Sequence, residues 1–144
     1  MTKQRVLFLC THNAARSQMA EAFLHKHGGE RFDVASAGLE PTAVHPMTIR
    51  VMNEVGLDIS GQQVKGLDGF LGKTTVQIAI IVCESAQKNC PRIYPFAIQR
   101  LYWPFEDPAA CNGTDAEQLQ KFRDVRDQIE VKILEWLKTP TVTN

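Results

Sequence analysis

The sequence predicts an α/β fold: a single domain over residues 1–144, built as a doubly wound parallel sheet of about four strands in the usual order 2-1-3-4, flanked by helices. Three observations predict it. Short apolar runs alternate along the chain with segments of helical period. One run, Ile78 to Val82, is apolar without interruption, as in a strand buried on both faces. No internal repeat, low-complexity tract or linker divides the chain.

Arg5 to Leu9 reads as a first buried strand ending at Cys10, where the composition turns small and polar. From Ser17, the apolar positions Met19, Ala20, Phe23 and Leu24 share one helical face, and Gly28-Gly29 stops the pattern. Phe32 to Ala37 is the second strand, followed by a turn with Gly38 and Pro41. Pro46 suits a first helical position; Met47, Val51, Met52 and Val55 face inward, and Gly56 lies past the helix end. Val76 to Cys83 is the central strand and Ala97 to Trp103 a weaker fourth. Thr114 and Glu117 have capping-box spacing. A long amphipathic helix then carries Leu119, Phe122, Val125, Ile129, Ile133 and Leu137, with Phe122 and Trp136 read as core and Thr139 to Asn144 as a loose tail.

Lys plus Arg and Asp plus Glu number 16 each, so the formal net charge is zero and nothing marks a nucleic-acid partner. No apolar run approaches the roughly 18 residues of a membrane span, and the start of the chain lacks a signal peptide pattern. A cytoplasmic monomer is expected. In that compartment cysteines stay reduced, and a close pair is more often catalytic or metal-binding than structural. Cys10, Cys83, Cys90 and Cys111 therefore come first.

Ligands of open α/β sheets bind beyond the carboxyl ends of the strands, where helix N-termini face anions. Cys10 to Ser17, C-T-H-N-A-A-R-S, occupies that position. The bare spacing C-x5-R is weak, with about 0.2 chance matches in such a chain, and gains its force from the strand-loop-helix context. Loop amides can form an anion nest beneath the helix dipole, and a thiol in that field ionises more readily to the nucleophilic thiolate. Arg16 can hold two oxygens of a tetrahedral oxyanion. Ser17 can donate a hydrogen bond to the thiolate, and Asn13 suits a positive φ. The oxyanion-binding set is Thr11, His12, Asn13, Ala14, Ala15, Arg16 and Ser17, with Cys10 as nucleophile. Displacing an oxygen also needs a proton donor, and from chemistry alone either Glu106 or Asp107 in W-P-F-E-D-P-A can serve.

The loop motif, Q-M-A-E at Gln18 to Glu21, S-A-G at Ser36 to Gly38, G-L-D-I-S at Gly56 to Ser60, Asp107-Pro108 and V-R-D at Val125 to Asp127 together resemble the arsenate reductases built on the low molecular weight tyrosine phosphatase fold. The resemblance runs from about Arg5 to the final helix. It assigns the general acid to Asp107, on a loop over the nucleophile. Ala109 and Ala110 stand where the phosphatases of this superfamily carry aromatic residues that flank a phosphotyrosine ring; a small inorganic oxyanion does not need that stacking surface.

With neighbouring strands about 4.8 Å apart, Cys83 at the end of the third strand falls on the same edge as Cys10. If residues 84–89 are helical, Cys83 and Cys90 lie roughly 10 Å apart, beyond the limit of about 7 Å for bridging, so a disulfide between them requires that segment to unwind or loop out. Resemblance to the thioredoxin-coupled reductases implies such a disulfide: Cys10 attacks arsenate, Cys83 attacks Cys10 and releases arsenite, and Cys90 completes a Cys83–Cys90 disulfide that thioredoxin reduces. Cys83 to Cys90 lacks zinc-ligand spacing, and neither a metal nor a cofactor is expected; Cys111 is read as structural or adventitious. His12 replaces the family's usual Gly, and Ala15 a position where many members have Cys. Some members bind potassium through positions corresponding to Asn13, Glu21, Ser36 and an acidic residue at 65; Lys65 stands here, so no potassium requirement is expected. His25 and His27 read as surface residues and His45 as a helix entrance. The alternatives are a phosphatase acting on small phosphate esters or phosphotyrosine, a reductase coupled to a low molecular weight thiol, and a non-enzymatic oxyanion-binding module.

Overall fold

Strand β1 (Gln4–Cys10) lies inside the sheet, and Val6, Leu7, Phe8 and Leu9 have no exposed surface. Successive side chains of a strand point to opposite faces, so both faces of β1 are covered, as a parallel sheet requires. The structure is a computed structural model that describes residues 3–10, 15–38, 42–62, 76–82, 97–110 and 112–138. After β1 come α1 (Arg16–Gly28), β2 (Phe32–Gly38), α2 (Pro46–Asn53), β3 (Ile78–Ile81), β4 (Gln99–Tyr102) and α3 (Asp115–Lys138), with a 3-10 turn at Pro108–Ala110. All strand pairs are parallel, in the predicted order β2-β1-β3-β4.

The expected strand over Val76 to Cys83 is shorter as a regular ladder, and the reason lies at Gln77. Its side-chain oxygen accepts from Arg5 N at 2.6 Å while its own N–H donates to Arg5 O at 3.1 Å, so a side chain replaces one backbone rung. Regular pairing starts at Ile78 opposite Val6. At the other end Val82 N–H donates to Leu9 O at 3.0 Å. The fourth strand likewise contracts to Gln99–Tyr102, while Trp103 N–H still bonds to Ile81 O at 2.8 Å.

Helix ends follow their local chemistry. Pro46 sits in the first turn of α2, and His45 Nδ1 caps it by accepting from Met47 N at 3.1 Å. Gly56, at φ 82°, turns the chain after α2; Leu57 N–H reaches Met52 O and Gly56 N–H reaches Asn53 O, the paired bonds of a Schellman motif. Thr114 and Glu117 form the expected reciprocal box, each side chain accepting from the other's backbone N–H at 3.2 Å.

Helix α3 closes the core. Phe122, Val125, Ile129 and Ile133 are fully buried, while Trp136 is half-buried, stacked on Phe32 at 5.1 Å and edge-on to Trp103 at 5.7 Å. Arg126, 9% exposed, donates to Val51 O and to Glu54 Oε1, both at 2.9 Å, and Arg123 holds the same carboxylate at 2.7 Å. The Arg123 hydrogen bond first, and Arg126 with it, lowers the Glu54 pKa to about 2. His27 departs from the surface reading: it is half-buried, stacked on Phe23 and 2.9 Å from Glu130 Oε2, tying α1 to α3. His25 is exposed, as expected.

Candidate active site

The carboxyl edge of the sheet gathers the site. Cys10 ends β1, 3% exposed, paired in register with Gly38 of β2. Six residues later Arg16 opens α1, so strand end and helix start meet at one edge. No side chain caps α1 and its first turn carries no acid, which leaves the positive end of its dipole uncompensated by carboxylates of its own. Ala15, Ser17 and Gln18 are buried around that start. Thr11, His12, Asn13 and Ala14 lie outside the described residues.

The guanidinium of Arg16 is the hub. Nη1 donates to the carbonyl oxygen of Phe105 at 3.0 Å, and Nη2 lies 3.7 Å from Asp107 Oδ2. Its side chain is only 12% exposed, and its Nε is buried with no hydrogen-bond partner among the described residues. An unsatisfied buried donor costs about 1–3 kcal/mol, more when charged, so an oxyanion that engaged this face of the guanidinium would relieve that cost.

The two carboxylates that the chemistry left open diverge. Asp107 faces Arg16 and accepts from Ala109 N–H at 3.0 Å. Glu106 turns to α3, where Lys121 Nζ sits 3.0 Å from its Oε2. The segment follows β4 and is placed by the end of β3: Phe105 N–H donates to Val82 O at 3.3 Å, and Pro108 is buried. Sequence reasoning missed two partners here. The Phe105 carbonyl is backbone and carries no side-chain signal, and Lys121 is one of eight lysines with nothing in its local pattern to pair it with Glu106.

Glu21 and Ser36, two of the four positions compared above with potassium-binding relatives, do meet, Ser36 Oγ donating to Glu21 Oε1 at 2.5 Å. Asn13 and Lys65, and likewise Cys83, Cys90 and Cys111, lie outside the described residues. Among the described residues no group of three or more His, Cys, Asp or Glu side chains is arranged to hold a metal ion, and no helix is long and apolar enough to cross a membrane. A cavity of about 330 Å³ lies at the opposite end of the sheet, lined by Lys3, Arg5, His25 and Asp33 among others, and is separate from this site.

The family model of the low molecular weight phosphotyrosine protein phosphatases matches residues 5–142. An arsenate reductase of Halalkalibacterium halodurans is 40% identical over 139 residues, covering 96% of this chain and 99% of that protein. A solved structure of an arsenate reductase in its phosphate-binding state superimposes with a TM-score of 0.78 at 34% identity, over 93% of this chain and 96% of that one. A thioredoxin-dependent arsenate reductase of Corynebacterium glutamicum superimposes with a TM-score of 0.66 at 27% identity, over 94% of this chain and 61% of that one. With Cys10 at a strand end, Arg16 at the next helix start and a near full-length match, the chain belongs to the low molecular weight phosphotyrosine protein phosphatase family, in company with the arsenate reductases.

Proposed function

We propose that the protein reduces arsenate to arsenite, with Cys10 as nucleophile, Arg16 as oxyanion clamp, Asp107 as general acid, and Cys83 and Cys90 as a disulfide relay reduced by thioredoxin. The observation that carries the reading is Arg16. It heads a helix beside the strand that ends in Cys10, its buried Nε lacks a partner among the described residues, and its Nη2 faces Asp107 rather than Glu106. Clamp and acid therefore stand at one edge with the nucleophile, and the near full-length similarity to arsenate reductases supplies the oxyanion.

In this mechanism the amides of Thr11 to Ser17 and the Arg16 guanidinium hold the arsenate oxygens. The Cys10 thiolate attacks arsenic, and one arsenate hydroxyl leaves as water after taking a proton from Asp107. The Cys83 thiolate then attacks the Cys10 sulfur. The S–S bond forms as the As–S bond breaks, the electron pair goes to arsenic, and As(III) leaves as arsenite. Cys90 attacks the Cys83 sulfur, Cys10 departs as thiolate, and the Cys83–Cys90 disulfide takes two electrons from the thioredoxin dithiol. The register supports the order of attack: Val82, the residue before Cys83, bonds to Leu9, the residue before Cys10. The thioredoxin-dependent neighbour supports the electron donor. The working unit is a cytoplasmic monomer.

The test follows NADPH consumption on adding arsenate, with thioredoxin and thioredoxin reductase, for the parent and for Cys10→Ser, Cys83→Ser and Cys90→Ser. The parent should turn over repeatedly and each variant should lose multiple turnover. A parent that hydrolyses aryl phosphates but leaves arsenate untouched would move the phosphatase reading to the front; turnover that persists without Cys83 and Cys90 would place the electrons with a low molecular weight thiol.

A further inference from the structure

Resting on the reading of Asp107 as the general acid, we infer that Lys121 is a positioning residue for the reaction, latching the acid-bearing segment to α3 through its ion pair with Glu106. The segment from Phe105 to Pro108 is unequally anchored, as its contacts show.

 At its start, Phe105 is held on both backbone groups, N–H to Val82 O at 3.3 Å and C=O from Arg16 Nη1 at 3.0 Å. At its end, Pro108 is buried and Ala110 N–H bonds to Asp107 O at 3.2 Å. Between them, Glu106 and Asp107 project in divergent directions, one to α3 and one to the oxyanion clamp.

Glu106 is 64% exposed, and its carboxylate meets Lys121 Nζ at 3.0 Å, from the second turn of α3. Because Glu106 and Asp107 are adjacent, the planar trans peptide between them fixes their Cα atoms about 3.8 Å apart, so anchoring one bounds the position of the other. Holding Glu106 against α3 therefore restricts where Asp107 can sit relative to Arg16. The pair is solvent-exposed, so its influence is modest and screened by salt. That sets the expected size of the effect: a loss of about two- to five-fold when the latch is cut, against the 10²-fold or greater loss that general-acid removal brings.

The experiment measures kcat/KM for arsenate, the dissociation constant for inorganic phosphate and the thermal midpoint, in the full chain. The variants are Lys121→Met, Glu106→Gln, their double, the charge swap Glu106→Lys with Lys121→Glu, and Lys121→Met in an Asp107→Asn background. Each single variant should lose about two- to five-fold in kcat/KM at low salt with phosphate affinity unchanged. The double should lose no more than either single, the swap should recover most of the loss, and 0.5 M salt, on the order of a 4 Å Debye length, should shrink it. In the Asp107→Asn background Lys121→Met should change nothing. Additive losses, a Lys121 effect that persists without Asp107, or a lowered midpoint with kcat/KM unchanged would each overturn the latch. If the parent proves inactive on arsenate, an aryl phosphate takes its place as substrate, because the acid serves either leaving oxygen; a parent inactive on both overturns the underlying assignment and the latch with it.

Discussion

Arg16 does three things at once with one planar group: it donates to the Phe105 carbonyl, faces Asp107, and keeps a buried Nε without a partner among the described residues. Lysine carries the same charge as a single point and has no fork to divide among these partners. Arg16→Lys should therefore lower kcat/KM for arsenate by about 10²- to 10³-fold, the range seen on removing one oriented donor to a developing oxyanion. Steady-state kinetics check this, and a loss under ten-fold would remove Arg16 from the clamp. The neighbouring carboxylates teach a related lesson. Glu106 and Asp107 are chemically equivalent proton donors in the sequence, and they differ only in what each one meets, Lys121 or Arg16.

Helix α3 is held to α2 by a charged clasp and to the sheet by aromatic packing. Glu54 accepts from both Arg123 and Arg126, and those partners bring its pKa down to about 2. A carboxylate whose pKa falls on folding stabilises the native state above its unfolded value, and that contribution fades as pH drops toward the folded value. The window here runs from about pH 4.5 down to about 2. With the carboxylate about a third exposed, solvent screening limits the contribution to about 1 kcal/mol. Glu54→Gln should destabilise the protein by about that amount at pH 7, and the difference from the parent should shrink steadily below pH 4.5. Urea unfolding at several pH values reads this directly, and a difference that grows on acidification would contradict the sign.

Across the whole molecule the inner strands carry the stability. Ile80 has no exposed surface and pairs in register with Phe8 on one side and Leu101 on the other. Ile80→Ala should cost about 2–5 kcal/mol, a lost transfer term plus the cavity that neighbouring strands cannot close, measured as a lower urea midpoint; a cost below 1 kcal/mol would mean that the centre of the sheet can collapse around the gap. Much of this architecture was legible before any coordinates. The unbroken run Ile78 to Val82, the helix stops at Gly28 and Gly56, the Thr114 and Glu117 box and the Cys10 to Arg16 spacing are signals within a few residues of one another, because hydrogen bonding along a helix, hydrophobic period and turn chemistry act over that range. By itself, then, the sequence determined the strand and helix order and the place of Cys10 and Arg16 at a strand end and the next helix start. Only the tertiary structure decided that Gln77 ends a ladder with its side chain, that His27 reaches Glu130 across 103 residues, and that Asp107 rather than Glu106 faces Arg16. Those outcomes depend on parallel pairing of β1, β3 and β4 and on the docking of α3, which join residues far apart in the chain, and no local pattern encodes which of two adjacent carboxylates such packing will turn inward.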